Sequence, residues 1–130
     1  MLTSKEILKK VKKETPLVFV DFHAETSSEK EALACYLDGQ VSVVAGTHTH
    51  VQTADERILK NGTAYITDVG MTGVENSCLG VESGIIIDKF RFHMPAKFNE
   101  AKGECFLNGV IVEFDEKKGK AESIERIIIR

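Results

Sequence analysis

No stretch of this 130-residue sequence approaches the ~20 consecutive apolar residues that a membrane-spanning helix needs. The first residues, MLTSKEILKKVKKE, also lack the apolar core of a signal peptide, so a cytoplasmic location is the expectation. Basic charge is not in excess. The formal net charge is -3 with a pI near 5.8, and the short pairs Lys9-Lys10 and Lys12-Lys13 read as the solvated face of a helix. That balance argues against a surface built for nucleic acid. Cysteine is limited to Cys35, Cys78 and Cys105, an odd and widely spaced set without a CxxC pair, and these read as reduced, buried thiols. The glycine-bearing loop from Asp68 to Gly73 lacks the GK[ST] ending of a phosphate-cradling loop, which excludes nucleotide binding by that device.

What remains is an ordinary globular composition, 42% hydrophobic, within the size of a single domain over residues 1–130. Its most informative stretch is Val43 to His50, VVAGTHTH. The β-branched run from Val41 to Ala45 reads as a buried strand, Gly46 frees the backbone for a sharp turn, and His48 and His50 follow at the strand's carboxyl end. If these residues stay extended, the period of two sets both imidazoles on one side. Two imidazoles presented together suit zinc, iron or manganese, although the motif alone also fits a polar loop.

The chain before that stretch gives it context. Thr3 and Glu6 are spaced as a capping box for a first helix, with Ile7, Leu8 and Val11 as its apolar stripe and Thr15-Pro16 as its stop. Leu17 to Val20 are four consecutive apolar residues, the pattern of a strand covered on both faces, and His23 lies at its carboxyl end between Asp21 and Glu25. A second helix follows, with Ser28 and Glu31 as capping box and Ala32, Leu33, Tyr36 and Leu37 as buried stripe, stopped by Asp38-Gly39. Strand, helix, strand makes a βαβ unit of parallel strands, whose carboxyl ends share one edge. His23 is thereby brought to the edge of His48 and His50, where α/β sheets bind ligands. Three histidines could hold one zinc with an open position or form part of a larger site. Asp21 and Glu25 read as ligands, as partners that orient an imidazole, or as ordinary strand-end polar groups, with the latter two favoured because a metal-bound imidazole needs an acceptor for its other nitrogen. A dinuclear site would also want bridging carboxylates, and none cluster beside the histidines.

Downstream, Asn61-Gly62 marks a turn and Thr63 to Thr67 a further strand. The segment from Glu82 to Phe92 reads as a helix ended by Met94-Pro95, beside which His93 stands apart from the other histidines. Glu104 to Asp115 and Lys120 to Ile129 should pair as a β-hairpin around Glu116 to Gly119, with Ile127-Ile128-Ile129 in need of cover.

The blocks DFHAETSSEK, YLDGQVSVVAGTHTHVQTADERIL and AYITDVGMTG, with KFNEAKG and the IERI near the end, resemble the YmdB-like family of bacterial metallophosphoesterases, distant relatives of the calcineurin-like phosphoesterases. The resemblance implies an α/β fold that forms part of a four-layer α/β/β/α sandwich. It implies a metal-dependent phosphodiesterase with two ions, iron or manganese, and cyclic nucleotides among the substrates. It also implies that His23 and His48 resemble ligands of one metal and His50 a ligand of the other. The ions would neutralise charge on the phosphoryl oxygens during hydrolysis. Members of the family are about twice this length, and the N-terminal half that carries their aspartate, bridging glutamate and asparagine ligands has no counterpart here. The chain corresponds to the C-terminal half. Two expectations follow: a phosphodiesterase half that acts with a complementing N-terminal half or as a homo-oligomer, or a non-catalytic metal-binding or interaction module. A mononuclear three-histidine zinc hydrolase is a third.

Overall fold

The structure, a computed structural model, describes residues 2–130 and divides into two compact units. The larger comprises residues up to Gly70 together with Gly109–Ile127, and the smaller comprises Met71–Asn108 with Ile128–Arg130.

In the larger unit, α1 (Leu2–Val11) leads to β1 (Phe19–His23), α2 (Ser27–Leu37) and β2 (Val43–Thr47), followed by β3 (Arg57–Ile58) and β4 (Ala64–Ile66). The four strands form one sheet in the order β1-β2-β4-β3. Both βαβ strands are parallel, with Phe19 opposite Val43 and His23 opposite Thr47, and β4 continues the parallel set on the far side of β2. The period of two then sorts the core. Val44 and Tyr65 face the helices with Leu8, Leu33, Ala34 and Leu37, while Val43, Ala45, Ala64 and Ile66 face the opposite side. There they meet Val110, Val112, Phe114, Ala121 and Ile124. These belong to the long hairpin β6 (Cys105–Asp115) and β7 (Lys120–Ile129), turned at Gly119 in the left-handed region (φ 65°). The unit is thus helix, sheet, sheet.

Several expectations shift. Thr3 lies inside α1 rather than at its cap, and Ile7 is exposed while Leu8 carries the helix's burial. The cap of α2 is Thr26, two residues before the expected Ser28, because Thr26 and Glu29 make both reciprocal bonds: the Glu29 N–H donates to the Thr26 hydroxyl and the Thr26 N–H donates to the Glu29 carboxylate, each at 3.3 Å. Replacing Thr26 by alanine should lower stability by about 1 kcal/mol, read as the shift in the urea midpoint. Lys30 joins Leu33, Ala34 and Leu37 on the buried face of α2, whereas Ala32 is exposed and Tyr36 half-buried. The strand expected to be covered on both faces is an edge strand, and Phe19 is 61% exposed. The cysteines are free thiols but not buried: Cys35 and Cys105 are exposed and Cys78 is half-buried.

The smaller unit holds β5 (Thr72–Val74), α3 (Ser83–Phe92) and the start of β6, to which β5 pairs antiparallel with Thr72 opposite Leu107. α3 ends where expected, its last turn closed by the His93 N–H donating to the Lys89 carbonyl. Among the described residues, no helix is long and apolar enough to cross a membrane.

Candidate functional site

The carboxyl edge of the parallel sheet gathers a chain of polar side chains, all from the larger unit. His23 ends β1, and Thr47 ends β2 directly opposite it. The Thr47 hydroxyl donates to the Asp21 carboxylate at 3.1 Å, so its oxygen is left to accept from His23 Nδ1 at 3.2 Å. On the other side of that ring, His23 Nε2 and His48 Nδ1 lie 3.0 Å apart with the rings edge-on at 86°. His48 Nε2 in turn faces the Glu25 carboxylate at 2.8 Å.

Proton accounting along this chain is informative. Three contacts, Thr47 to His23, His23 to His48 and His48 to Glu25, each call for one N–H, but two neutral imidazoles supply only two. With the outer N–H groups committed to Thr47 and Glu25, the inner nitrogens present two lone pairs to each other. Either a third N–H, gained by protonating one ring, or a cation held by both lone pairs resolves the mismatch. The 3.0 Å spacing lets both nitrogens reach one ion at the usual metal–nitrogen bond length of about 2.0–2.1 Å. The outer contacts are of the kind that orient metal-bound imidazoles. The pair therefore fits a metal as part of a ligand set, and the described residues contain no group of three or more His, Cys, Asp or Glu side chains placed to complete it.

Gly46 is not where the backbone turns, as the sequence suggested. It lies inside β2, and the turn comes at the histidines themselves, with His48 at φ 120° and His50 at φ 65°. The THTH segment is consequently not extended, so the period of two no longer relates the two imidazoles. His50 makes no hydrogen bond, ion pair or ring contact among the described residues. Two left-handed residues without glycine cost about 1–3 kcal/mol each and persist only where neighbours hold them, as at functional sites.

What holds them is a buried ion pair. Lys30 Nζ and the Asp68 carboxylate meet at 2.9 Å with both side chains fully buried. Asp68 also accepts the N–H of Thr49, between the two histidines, and the N–H of Gly70, both at 2.9 Å. Burial acts to raise the Asp68 pKa, but the Thr49 and Gly70 N–H groups and the Lys30 ammonium outweigh it and hold the carboxyl below its ordinary range. Neither residue stood out in the sequence. One signal was there: Lys30 sits three, four and seven residues before Leu33, Ala34 and Leu37, which places a lysine within an apolar stripe. The adjoining loop is tied down similarly by Asp55, which accepts from the hydroxyls of Thr53 and Thr67.

A family model, that of the YmdB-like proteins, matches residues 2–127. The chain belongs to the YmdB-like family. It is 52% identical over 128 residues to the 2',3'-cyclic-nucleotide 2'-phosphodiesterase of Bacillus subtilis, a match that takes in 98% of this chain and 48% of that protein. It is 43% identical over 120 residues to a putative phosphatase/phosphodiesterase of Mycoplasma pneumoniae, covering 92% of this chain and 43% of the relative. Among solved structures, a phosphatase from Mycoplasma pneumoniae superimposes with a TM-score of 0.89 at 42% identity, over 98% of this chain and 45% of that one. A hypothetical protein from Thermus thermophilus gives 0.83 at 40% identity, over 93% and 48% of the two chains. This YmdB-like chain spans about half the length of the curated relatives it matches.

Proposed function

We propose that this YmdB-like chain supplies one half of a metal-dependent phosphodiesterase centre, in which His23 and His48 hold one ion, iron or manganese, and His50 serves a second. The observation that carries the reading is the facing pair of imidazole nitrogens at 3.0 Å, each ring fixed from behind by Thr47 or Glu25. A bound ion would supply Lewis acidity that withdraws charge from a phosphoryl oxygen. The chain's own part is to present two neutral imidazoles at a rigid strand end and to keep their outer N–H groups occupied. Half-exposed His48 and exposed His23 leave the edge open to a small phosphodiester such as a 2',3'-cyclic nucleotide, the substrate class named for the Bacillus subtilis relative. The helix, sheet, sheet layering supports membership of a four-layer sandwich whose remaining layer comes from the complementary half.

The test uses the chain mixed with the part of the Bacillus subtilis relative that lies outside the match. Titration with Mn²⁺ should show His48→Ala lowering affinity at least about 100-fold, beyond the roughly 10–100-fold that outer partners of metal ligands carry, and hydrolysis of a 2',3'-cyclic nucleotide should vanish. Unchanged Mn²⁺ affinity would sink the ligand assignment. The incomplete ligand set among the described residues favours a second reading, a non-catalytic metal-binding or interaction module. It predicts that the wild-type mixture hydrolyses nothing while the two polypeptides still associate.

A further inference from the structure

The two rings of the facing pair need opposite tautomers. For His23 Nε2 and His48 Nδ1 to turn lone pairs toward each other across 3.0 Å, His23 must carry its proton on Nδ1 and His48 on Nε2. His48 has a direct device for this, because Glu25 lies 2.8 Å from its Nε2 and an ionised carboxylate can only accept. His23 has no such neighbour at its Nδ1. That nitrogen faces the Thr47 hydroxyl at 3.2 Å, and a threonine hydroxyl can turn either to donate or to accept. Left to itself, Thr47 would serve both tautomers, and a free neutral imidazole favours the wrong one, with the proton on Nε2. The tautomer of a ring is set by the bond its outer nitrogen makes, so something must fix the direction of that bond.

Asp21 removes the freedom. The parallel register sets His23 opposite Thr47 and Asp21 opposite Ala45, so Asp21 and His23 stand two residues apart on one side of β1, each within hydrogen-bond reach of Thr47. The Thr47 hydroxyl commits its one proton to Asp21 Oδ1 at 3.1 Å, and lone pairs are what it has left for His23. We propose that Asp21 is a positioning residue that, through Thr47, selects the Nδ1–H tautomer of His23 and so frees Nε2 to bind an ion. What Nε2 binds rests on the metal-centre reading, whereas the choice of tautomer rests on the hydrogen bonds alone. Asp21→Asn tests the direction of those bonds with almost no change of shape. Its amide can donate to the Thr47 oxygen, which lets the hydroxyl proton turn to His23 Nδ1 and drives the ring proton to Nε2. Nε2–H then points at His48 Nδ1, the pair closes on itself, and His23 presents no lone pair to an ion.

The tautomer is read by nitrogen NMR of the imidazoles, at a pH where the rings are neutral, in the chain carrying His48→Ala, which removes the facing ring and leaves Thr47 and Asp21 to act alone. His23 should carry its proton on Nδ1 in that parent and on Nε2 once Asp21→Asn is added. Thr47→Val should release the ring in the same way, and Thr47→Ser should keep Nδ1–H. Asp21 is exposed on an edge strand, so circular dichroism and the urea midpoint should not move. With His48 present, Mn²⁺ should bind the complemented Asp21→Asn protein about 10–100-fold more weakly than the wild type, the range carried by outer partners of metal ligands. Nε2–H in the parent, or one tautomer in parent and Asp21→Asn alike, would overturn the proposal. So would weaker Mn²⁺ binding with the tautomer unchanged, since Asp21 would then act by its charge. A wild-type mixture that takes up no Mn²⁺ would overturn the metal-centre reading and leave the tautomer assignment standing.

Discussion

Replacement of Asp68 by alanine should cost about 3–5 kcal/mol of stability, since it leaves the Lys30 ammonium buried with no counter-charge. The two groups lie 2.9 Å apart with no solvent exposure on either side chain. The loss is compounded because the same carboxylate receives the N–H groups of Thr49 and Gly70. Urea unfolding followed by circular dichroism measures it, and a double variant, Lys30→Met with Asp68→Leu, should lose less than Asp68→Ala alone, because no unpaired charge remains. A loss below about 1 kcal/mol for Asp68→Ala, the range of surface pairs, would mean that the pair is not desolvated. The acid limb offers a second reading. Asp68 is held below its ordinary pKa, so its ionised form contributes fully above the unfolded value of about 3.9, and that contribution is lost as pH falls through the lower folded value. Acid sensitivity below about pH 4 should therefore be weaker in Asp68→Ala than in the wild type, relative to each protein's own neutral-pH stability.

This ion pair also marks the boundary of what local sequence patterns convey. The βαβ unit, the parallel pairing and the meeting of His23 with His48 were legible, because strand and helix periods and the direction of parallel strands are enough to bring those strand ends together. The Asp38-Gly39 stop, the end of α3 and the β6–β7 hairpin were legible for the same local reasons. Other features depend on partners distant in sequence. Thr26 takes the cap because Glu29 answers it, a choice that Ser28 with Glu31 equally suggests on paper. The backbone turns at His48 and His50, where Asp68, 19 residues beyond Thr49, fixes the intervening N–H. The Leu17 to Val20 run looks buried on both faces, yet in the chain itself β1 is an edge, since burial there depends on what lies beside the strand. A local pattern records that a residue favours burial, and not which neighbour provides it.

Gly46→Ala should be the most damaging small substitution at the site. A Cβ at that position would lie 1.8 Å from the Thr67 carbonyl oxygen and 2.7 Å from its carbonyl carbon, with Lys30 Cδ at 2.8 Å. The lysine stem can yield, but the Thr67 backbone cannot move without parting β2 from β4, whose contact just beyond is sealed by the Val69 N–H donating to the Gly46 carbonyl at 2.9 Å. Overpacking that side chains absorb costs about 1–3 kcal/mol, and a clash with paired backbone should reach or exceed the top of that range. The displacement would also reach Thr47 and the strained His48, so Mn²⁺ affinity in the complemented protein should fall along with the urea midpoint. Gly84→Ala provides the control: its Cβ meets nothing within 4 Å, and it stands in the first turn of α3, where alanine should be neutral or stabilising by up to about 1 kcal/mol. Equal midpoints for the two variants would show that β2 and β4 do not approach as closely as their register implies, and the account of Gly46 as a residue kept for space would fail.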